Sequence, residues 1–171
     1  MSIRKVFMKK IFAVFISLLF ITTFAYAGQD RSLPDSNLTP GAILNAAKED
    51  VCISGYSKSV RNVPEREKRQ VYQEYNMDPH NSPCPCEVDH LISLELGGSN
   101  DIKNLWPEPY TGKWNAHMKD RLENWLHKQV CKGNMSLQEA QEAIRNDWTK
   151  AYVKYGIGKI GNKGDIIKIV H

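Results

Sequence analysis

The chain has 171 residues, with 23 Lys and Arg against 19 Asp and Glu, but its first 27 residues carry four of the basic side chains and none of the acidic ones. Without that segment 144 residues remain, with 19 charges of each sign, enough for one core and needing no second domain. This balance excludes any argument for nucleic-acid binding from net charge, so such an argument must rest on where charges cluster.

Arg4, Lys5, Lys9 and Lys10 form a positive start, Ile11 to Phe24 is apolar apart from Ser17, Thr22 and Thr23, and Ala25-Tyr26-Ala27 has the A-x-A form of a cleavage signal. The apolar run of fourteen residues falls short of the roughly 20 that span a bilayer. Residues 1–27 therefore read as a signal peptide cleaved after Ala27. Residues 28–171 read as an exported single domain, periplasmic or secreted, with no membrane span after processing and a monomeric state.

In the mature chain, Thr39-Pro40-Gly41 opens an expected first helix, with Thr39 as N-cap and Pro40 at the first helical position, ending near Asp50. Pro64 starts a second, charged helix to about Asn76, with Val71, Tyr72 and Tyr75 as its packing face. The stretch from Asp78 to Pro85, with three prolines, is a loop. Cys86 to Ile92 reads as a strand, Leu94 to Asn104 as a Gly-rich loop, and Asn104 to Trp106 as a short extended piece stopped by Pro107 and Pro109.

From Lys113 to Val130, Trp114, Met118, Leu122, Trp125 and Leu126 recur at the helical period. Ser136-Leu137-Gln138-Glu139 has the form of a capping box. A last helix over about 136–155 follows, with Leu137, Ala140, Ile144, Trp148 and Ala151 on one face. A Gly- and Lys-rich tail closes the chain at 156–171, with Ile166 to Val170 as an edge strand. The pattern is α+β and mainly helical.

Two basic clusters stand out. Lys58, Arg61, Arg66, Lys68 and Arg69 face only Glu65 and Glu67, and in the tail Lys150, Lys154, Lys159, Lys163 and Lys168 face only Asp165. From sequence alone each is as well read as a solvated face. All four cysteines follow the cleavage site and would meet an oxidising compartment, so they read as two disulfides with three connectivities open. Cys52 to Cys131 is the preferred pair, because each follows an expected helix and the bond would staple the N-terminal segment to the core. Cys84-Pro85-Cys86 would close a very small ring, with poor geometry for a bond, and is left as strained, reduced or paired elsewhere.

The chemistry concentrates in residues 87–109, EVDHLISLELGGSNDIKNLWPEP. Asp89 and His90 sit together on a strand, Gly97-Gly98 makes a turn, Asn104 precedes Leu105-Trp106, and a helix follows. In this order the residues resemble the HNH, or ββα-metal, nuclease family. That family has D-H or H-H on one strand, G-G in the loop, N-L on the next strand and a final polar ligand on the helix. The resemblance covers about 35 residues of the mature 144 and implies a ββα core over about 84–130, flanked by helical segments at 39–76 and 136–155.

It also implies roles. Hydrolysis of a phosphodiester needs an activated water, a cation and help for the leaving 3′-oxygen. His90 is expected to act as the general base, Asp89 to hold one divalent cation, Mg2+ or else Mn2+, and Asn104 to brace the His loop. The expected substrate is nucleic acid, DNA first and RNA second, cut with little sequence preference. One objection is geometric: neighbours on a regular strand point to opposite faces, so the strand must end or twist at Asp89 for His90 to share its site.

For the last ligand, residues two apart on a helix lie roughly 200° apart, so Asn115 and His117 cannot both face one ion. Asn115 is preferred, with Lys119 one turn on as a phosphate contact, and His117 is the alternative. The commonest family form frames its site with a Cys-x-x-Cys pair for zinc. This chain has no such pair there, so no structural zinc is expected. Two rival readings are a non-catalytic nucleic-acid or cell-envelope binding module on the same scaffold, and a thiol-redox protein using Cys84-Pro85-Cys86.

Overall fold

A computed structural model of the chain describes residues 32–78 and 85–159. The signal-peptide reading of 1–27, Cys84 and the extended reading of 166–170 lie outside the described residues. Among the described residues no helix is long and apolar enough to cross a membrane.

The architecture is α+β, with helices α1 (Lys48–Val51), α2 (Tyr56–Val60) and α3 (Glu65–Glu74), strands β1 (Cys86–His90) and β2 (Leu105–Pro109), and helices α4 (Ala116–Lys132) and α5 (Leu137–Lys154). The strands pair antiparallel, with Asp89 opposite Trp106 and His90 opposite Leu105.

Helix α5 lies where its apolar period and capping box put it, whereas α4 keeps its apolar period but starts at Ala116 and not at Lys113, with Asn115 outside the helix. Asn115 caps α4 by accepting from the Met118 N–H at 3.3 Å, and Ser136 and Glu139 form the reciprocal box that starts α5. Leu122, Leu126 and Val130 of α4 meet Ala140, Ile144 and Trp148 of α5, and Leu91, Ile92, Leu96 and Trp106 close the core from the hairpin side. The core thus fastens the segment just after His90 directly to the helical pair.

Three expectations need correction. The helix expected from Thr39 does not form: only Lys48–Val51 is helical there. The backbone before it pairs with distant chain instead, Gly41 N–H donating to Lys103 O at 2.9 Å and Leu44 N–H to Gly97 O at 2.8 Å. Gly41 has φ +84°, and a Cβ there would sit 3.1 Å from Ile92 Cδ1, so close approach to the core sets its conformation. Thr39 spends its hydroxyl on Leu105 O at 2.8 Å rather than on a helix start.

The second strand also runs past the prolines expected to stop it. Tyr110 N–H donates to Pro85 O at 2.8 Å, so even-numbered residues of β2 turn their N–H groups towards β1. Pro107 and Pro109 fall at positions whose nitrogen faces away from the partner, on a strand paired along one side only, where a missing N–H costs no ladder bond. The first strand, finally, ends at His90 and not at Ile92.

Cys52 and Cys131 form a disulfide with Cα atoms 5.6 Å apart, closing a separation of 79 residues. Cys86 is disulfide-bonded as well.

Candidate active site

The turn between the strands is built so tightly that its residues have few alternatives. A Cβ on Gly98 would lie 1.8 Å from Ile92 O, a distance no side chain tolerates. Asn104, fully buried, laces the loop together: its Nδ2 donates to Ile92 O at 2.9 Å and Ser99 O at 2.8 Å, and its Oδ1 accepts from Ile92 N–H at 2.9 Å. Each buried amide atom has a partner, so replacing Asn104 would orphan several backbone groups at once.

This loop delivers Asn100 to His90. Asn100 Nδ2 donates to Val60 O at 2.7 Å, and its Oδ1 accepts from Asn62 N–H at 3.1 Å. A carbonyl only accepts and an amide N–H only donates, so the orientation of the Asn100 amide is fixed. The same Oδ1 lies 3.2 Å from His90 Nε2. In the neutral ring Nε2 therefore carries the proton and Nδ1 keeps its lone pair. Nδ1 lies 3.8 Å from Asp89 Oδ1. Both residues are paired in the ladder, which Leu91 N–H continues to Asn104 O at 2.7 Å, so the break expected at Asp89 does not occur, yet both line one groove. Asn100 was missed in the sequence, where it is one polar residue in a polar loop.

Asp89 and His90 line a groove of about 490 Å³ whose other lining residues include Glu87, Tyr110, Arg61, Lys68 and Arg69. Part of the first basic cluster thus lines the same groove, together with Glu65, whose Oε1 holds the Lys68 ammonium at 2.6 Å. Tyr110 donates to Glu87 Oε2 at 2.9 Å, and this bond pushes the phenol up to about 12, keeping it a donor. Burial raises the Glu87 carboxyl, with the Asp89 charge adding to it against the Tyr110 hydrogen bond.

Behind the groove is a buried charge cluster. The Lys119 ammonium, with its side chain wholly inaccessible, lies 2.8 Å from Asp89 Oδ2, 3.2 Å from Glu108 Oε2 and 2.6 Å from Glu123 Oε1. Only the Asp89 contact has hydrogen-bond alignment; the Glu108 and Glu123 oxygens are held at ion-pair distance alone. Three carboxyls around one ammonium cannot all be ionised out of water. Burial raises Glu108 well above the ordinary range, against the pull of Lys119, with the Asp89 and Glu123 charges adding to the rise. Burial likewise pushes Glu123 up to about 8. Burial is the largest single influence on Asp89 and opposes its ionisation, but the Lys119 charge and the hydrogen bonds of His90, Lys119 and Glu108 together outweigh it and hold the carboxyl well below the usual range. The cluster therefore centres on an Asp89–Lys119 ion pair, with burial driving both glutamates towards their protonated forms.

Two residues read from the sequence as site groups take other places. Lys119, expected as a phosphate contact, is enclosed by these carboxyls and is not among the residues lining the groove. Asn115, expected as a metal ligand, has both amide atoms engaged: Oδ1 caps α4, and Nδ2 donates to Gly112 O at 3.0 Å. His117 stands nearer the groove's rim, its ring 6.1 Å from that of Tyr110.

The groove carboxylates Asp89 and Glu87 are the residues that could hold a hard divalent cation. Asp89 lines the groove with Oδ1 3.8 Å from His90 Nδ1 and Oδ2 held by Lys119, and Glu87, two residues earlier on the same side of the pleat, offers a second carboxylate. One or two carboxylates completed by water are the usual way a protein holds Mg2+.

Compared with family models, with curated proteins and with solved structures, the chain finds no match.

Proposed function

We propose that the chain is a metal-dependent endonuclease of the HNH kind, hydrolysing phosphodiester bonds of DNA, and of RNA as a second class, with little sequence preference. The observation that carries this reading is the groove. It brings His90, with a proton-free Nδ1, and Asp89 together with Arg61, Lys68 and Arg69. A base without an anion-binding wall would suit many reactions; the pair together suits attack on a phosphate. The ordered Asp89-His90, Gly97-Gly98 and Asn104-Leu105 elements ahead of α4 support the same assignment.

In this mechanism the guanidinium groups of Arg61 and Arg69 hold the phosphodiester over the groove and offset its charge, while the Lys68 ammonium must leave Glu65, 2.6 Å away, to join them. His90 Nδ1 takes a proton from water as the water oxygen attacks phosphorus, and the bond to the leaving oxygen breaks, its electron pair staying on that oxygen, which takes a proton from solvent. The imidazolium so formed keeps its Nε2–H on Asn100 and gains the Asp89 carboxylate 3.8 Å from Nδ1, so the charge it acquires is met by a fixed opposite one. A divalent cation bound at Asp89 and Glu87 would supply charge neutralisation for the transition state. For Asn115 to serve as a further ligand it would have to give up the helix cap, which costs about 1 kcal/mol.

The test is plasmid cleavage by the mature protein in magnesium beside His90→Ala. Equal rates for the two proteins, or no cleavage in any divalent ion, would sink the reading; nucleic-acid binding that persists without cleavage would favour a binding module instead.

A further inference from the structure

Away from the groove, Cys52 Sγ, Cys131 Sγ and His127 Nε2 lie within 4.8 Å of one another, and all three side chains are partly exposed. The cysteines are joined as a disulfide, yet the third group needs explaining. His127 Nε2 sits 3.4 Å from Cys131 Sγ. Its Nδ1 lies 3.9 Å from Glu95 Oε2, a carboxylate at the other end of the ring.

Zinc held at about 2.3 Å by sulfur and about 2.0 Å by nitrogen, at tetrahedral angles, sets a sulfur and a nitrogen ligand about 3.5 Å apart and two sulfurs about 3.8 Å apart. The His127–Cys131 separation already meets the first condition. The second needs the two sulfurs, once unbonded, to relax apart, and Val51 O, 3.0 Å from Nε2, must give way to the ion. Glu95 stands where an outer carboxylate orients a metal-binding imidazole, by accepting the proton of the nitrogen that does not ligate.

We propose that the reduced chain binds one zinc ion, or a similar thiophilic divalent cation, through Cys52, Cys131 and His127, with Glu95 as a positioning residue and water in the fourth position. A dithiol reductant cleaves the Cys52–Cys131 bond, becoming a disulfide as the two cysteines become thiols. Zinc then displaces one proton from each thiol. His127 shifts its proton from Nε2, where Val51 O now accepts it at 3.0 Å, to Nδ1 beside Glu95. The metal would then tie the end of α1 to the last turn of α4, as the disulfide does. The absence of a Cys-x-x-Cys pair argued against structural zinc; the fold assembles a different ligand set from distant residues. This zinc site does not depend on the nuclease reading.

The test uses the mature chain with Cys84→Ser and Cys86→Ser, so that Cys52 and Cys131 are its only cysteines. Cobalt(II) serves as the spectroscopic probe and zinc as its competitor. The expected result is one equivalent of cobalt giving a cobalt–thiolate charge-transfer band after dithiol treatment and none before. Zinc should displace it, Cys131→Ser should abolish it, His127→Ala should weaken it more than about 10-fold, and Glu95→Gln should weaken it by about 10-fold. The proposal is overturned if the reduced chain gives no such band, whether circular dichroism shows it folded or unfolded, or if His127→Ala binds cobalt as tightly as the parent.

Discussion

Asn100 holds the ring of His90 through Oδ1, 3.2 Å from Nε2, while the same oxygen accepts from Asn62 N–H and Nδ2 donates to Val60 O, tying the amide to the chain at the end of α2. The proton of the ring is thereby assigned to Nε2 by residues far from the strand that carries His90. Asn100→Ala removes the acceptor and frees the ring to rotate or change tautomer. Because a well-placed general base contributes typically 10²- to 10⁴-fold, we expect kcat to fall about 10- to 100-fold. KM should stay within about two-fold, since Asn100 does not line the groove. Steady-state kinetics on a plasmid substrate, with a melting curve to show the variant folded, check this; a rise in KM with kcat intact would remove Asn100 from the mechanism.

The basic wall is expected to behave in the opposite way. Arg61 and Arg69 line the groove, whereas the His90 ring is held by Asn100. Substituting both arginines by alanine should raise KM about 10-fold or more while leaving kcat within a few-fold. Removing each side chain that binds a phosphate should also reduce the slope of log affinity against log salt by about 1. Binding of a short DNA to the His90→Ala protein across a salt series isolates this effect from cleavage. An unchanged slope would return the cluster to a solvated face.

The Lys119 ammonium contacts Asp89, Glu108 and Glu123 together. Lys119→Met keeps most of the volume but leaves Asp89 ionised beside buried carboxyls, and losing one partner of such a pair typically costs about 3–5 kcal/mol. Chemical denaturation should show a loss of that order. If Lys119 instead bound phosphate, the variant would be about as stable as the parent and defective in DNA binding, so the two roles separate cleanly.

How much of this could be read in the sequence differs by element. Helices α4 and α5 were legible because their apolar residues repeat every three or four positions and their caps are local. The false helix from Thr39 arose because the same local signals are present, yet Gly41 and Leu44 spend their N–H groups on Lys103 and Gly97, partners some 50 to 60 residues away that no local pattern reveals. The Cys52–Cys131 pair was legible from the helices it joins. The burial of Lys119 was not, because a lysine followed four residues later by a glutamate is the usual mark of a solvated helix face. Only the arrival of Asp89 and Glu108 from the hairpin turns that position inward. Asn100 and Glu87 entered the site in the same way, through tertiary contacts made by single polar residues.

The buried glutamic acids give the fold a pH dependence of definite sign. Glu123 has an ordinary value of 4.5 and is pushed by burial to about 8 in the folded chain, so between these values the folded state holds a proton that the unfolded state has released. Stability falls as pH rises wherever the native state binds more protons. The contribution of Glu123 is therefore fully present below about pH 4.5 and is lost as pH rises through about 8. Urea midpoints measured from pH 5 to 9 should decline across that window. Glu123→Gln carries no titrating proton and leaves the Lys119 ammonium beside a neutral amide, so the decline should shrink in that variant, with Glu108 supplying what remains. A midpoint that rises towards pH 8, or a slope untouched by Glu123→Gln, would mean that Glu123 is ionised in the native protein and that Lys119 sits between two carboxylates.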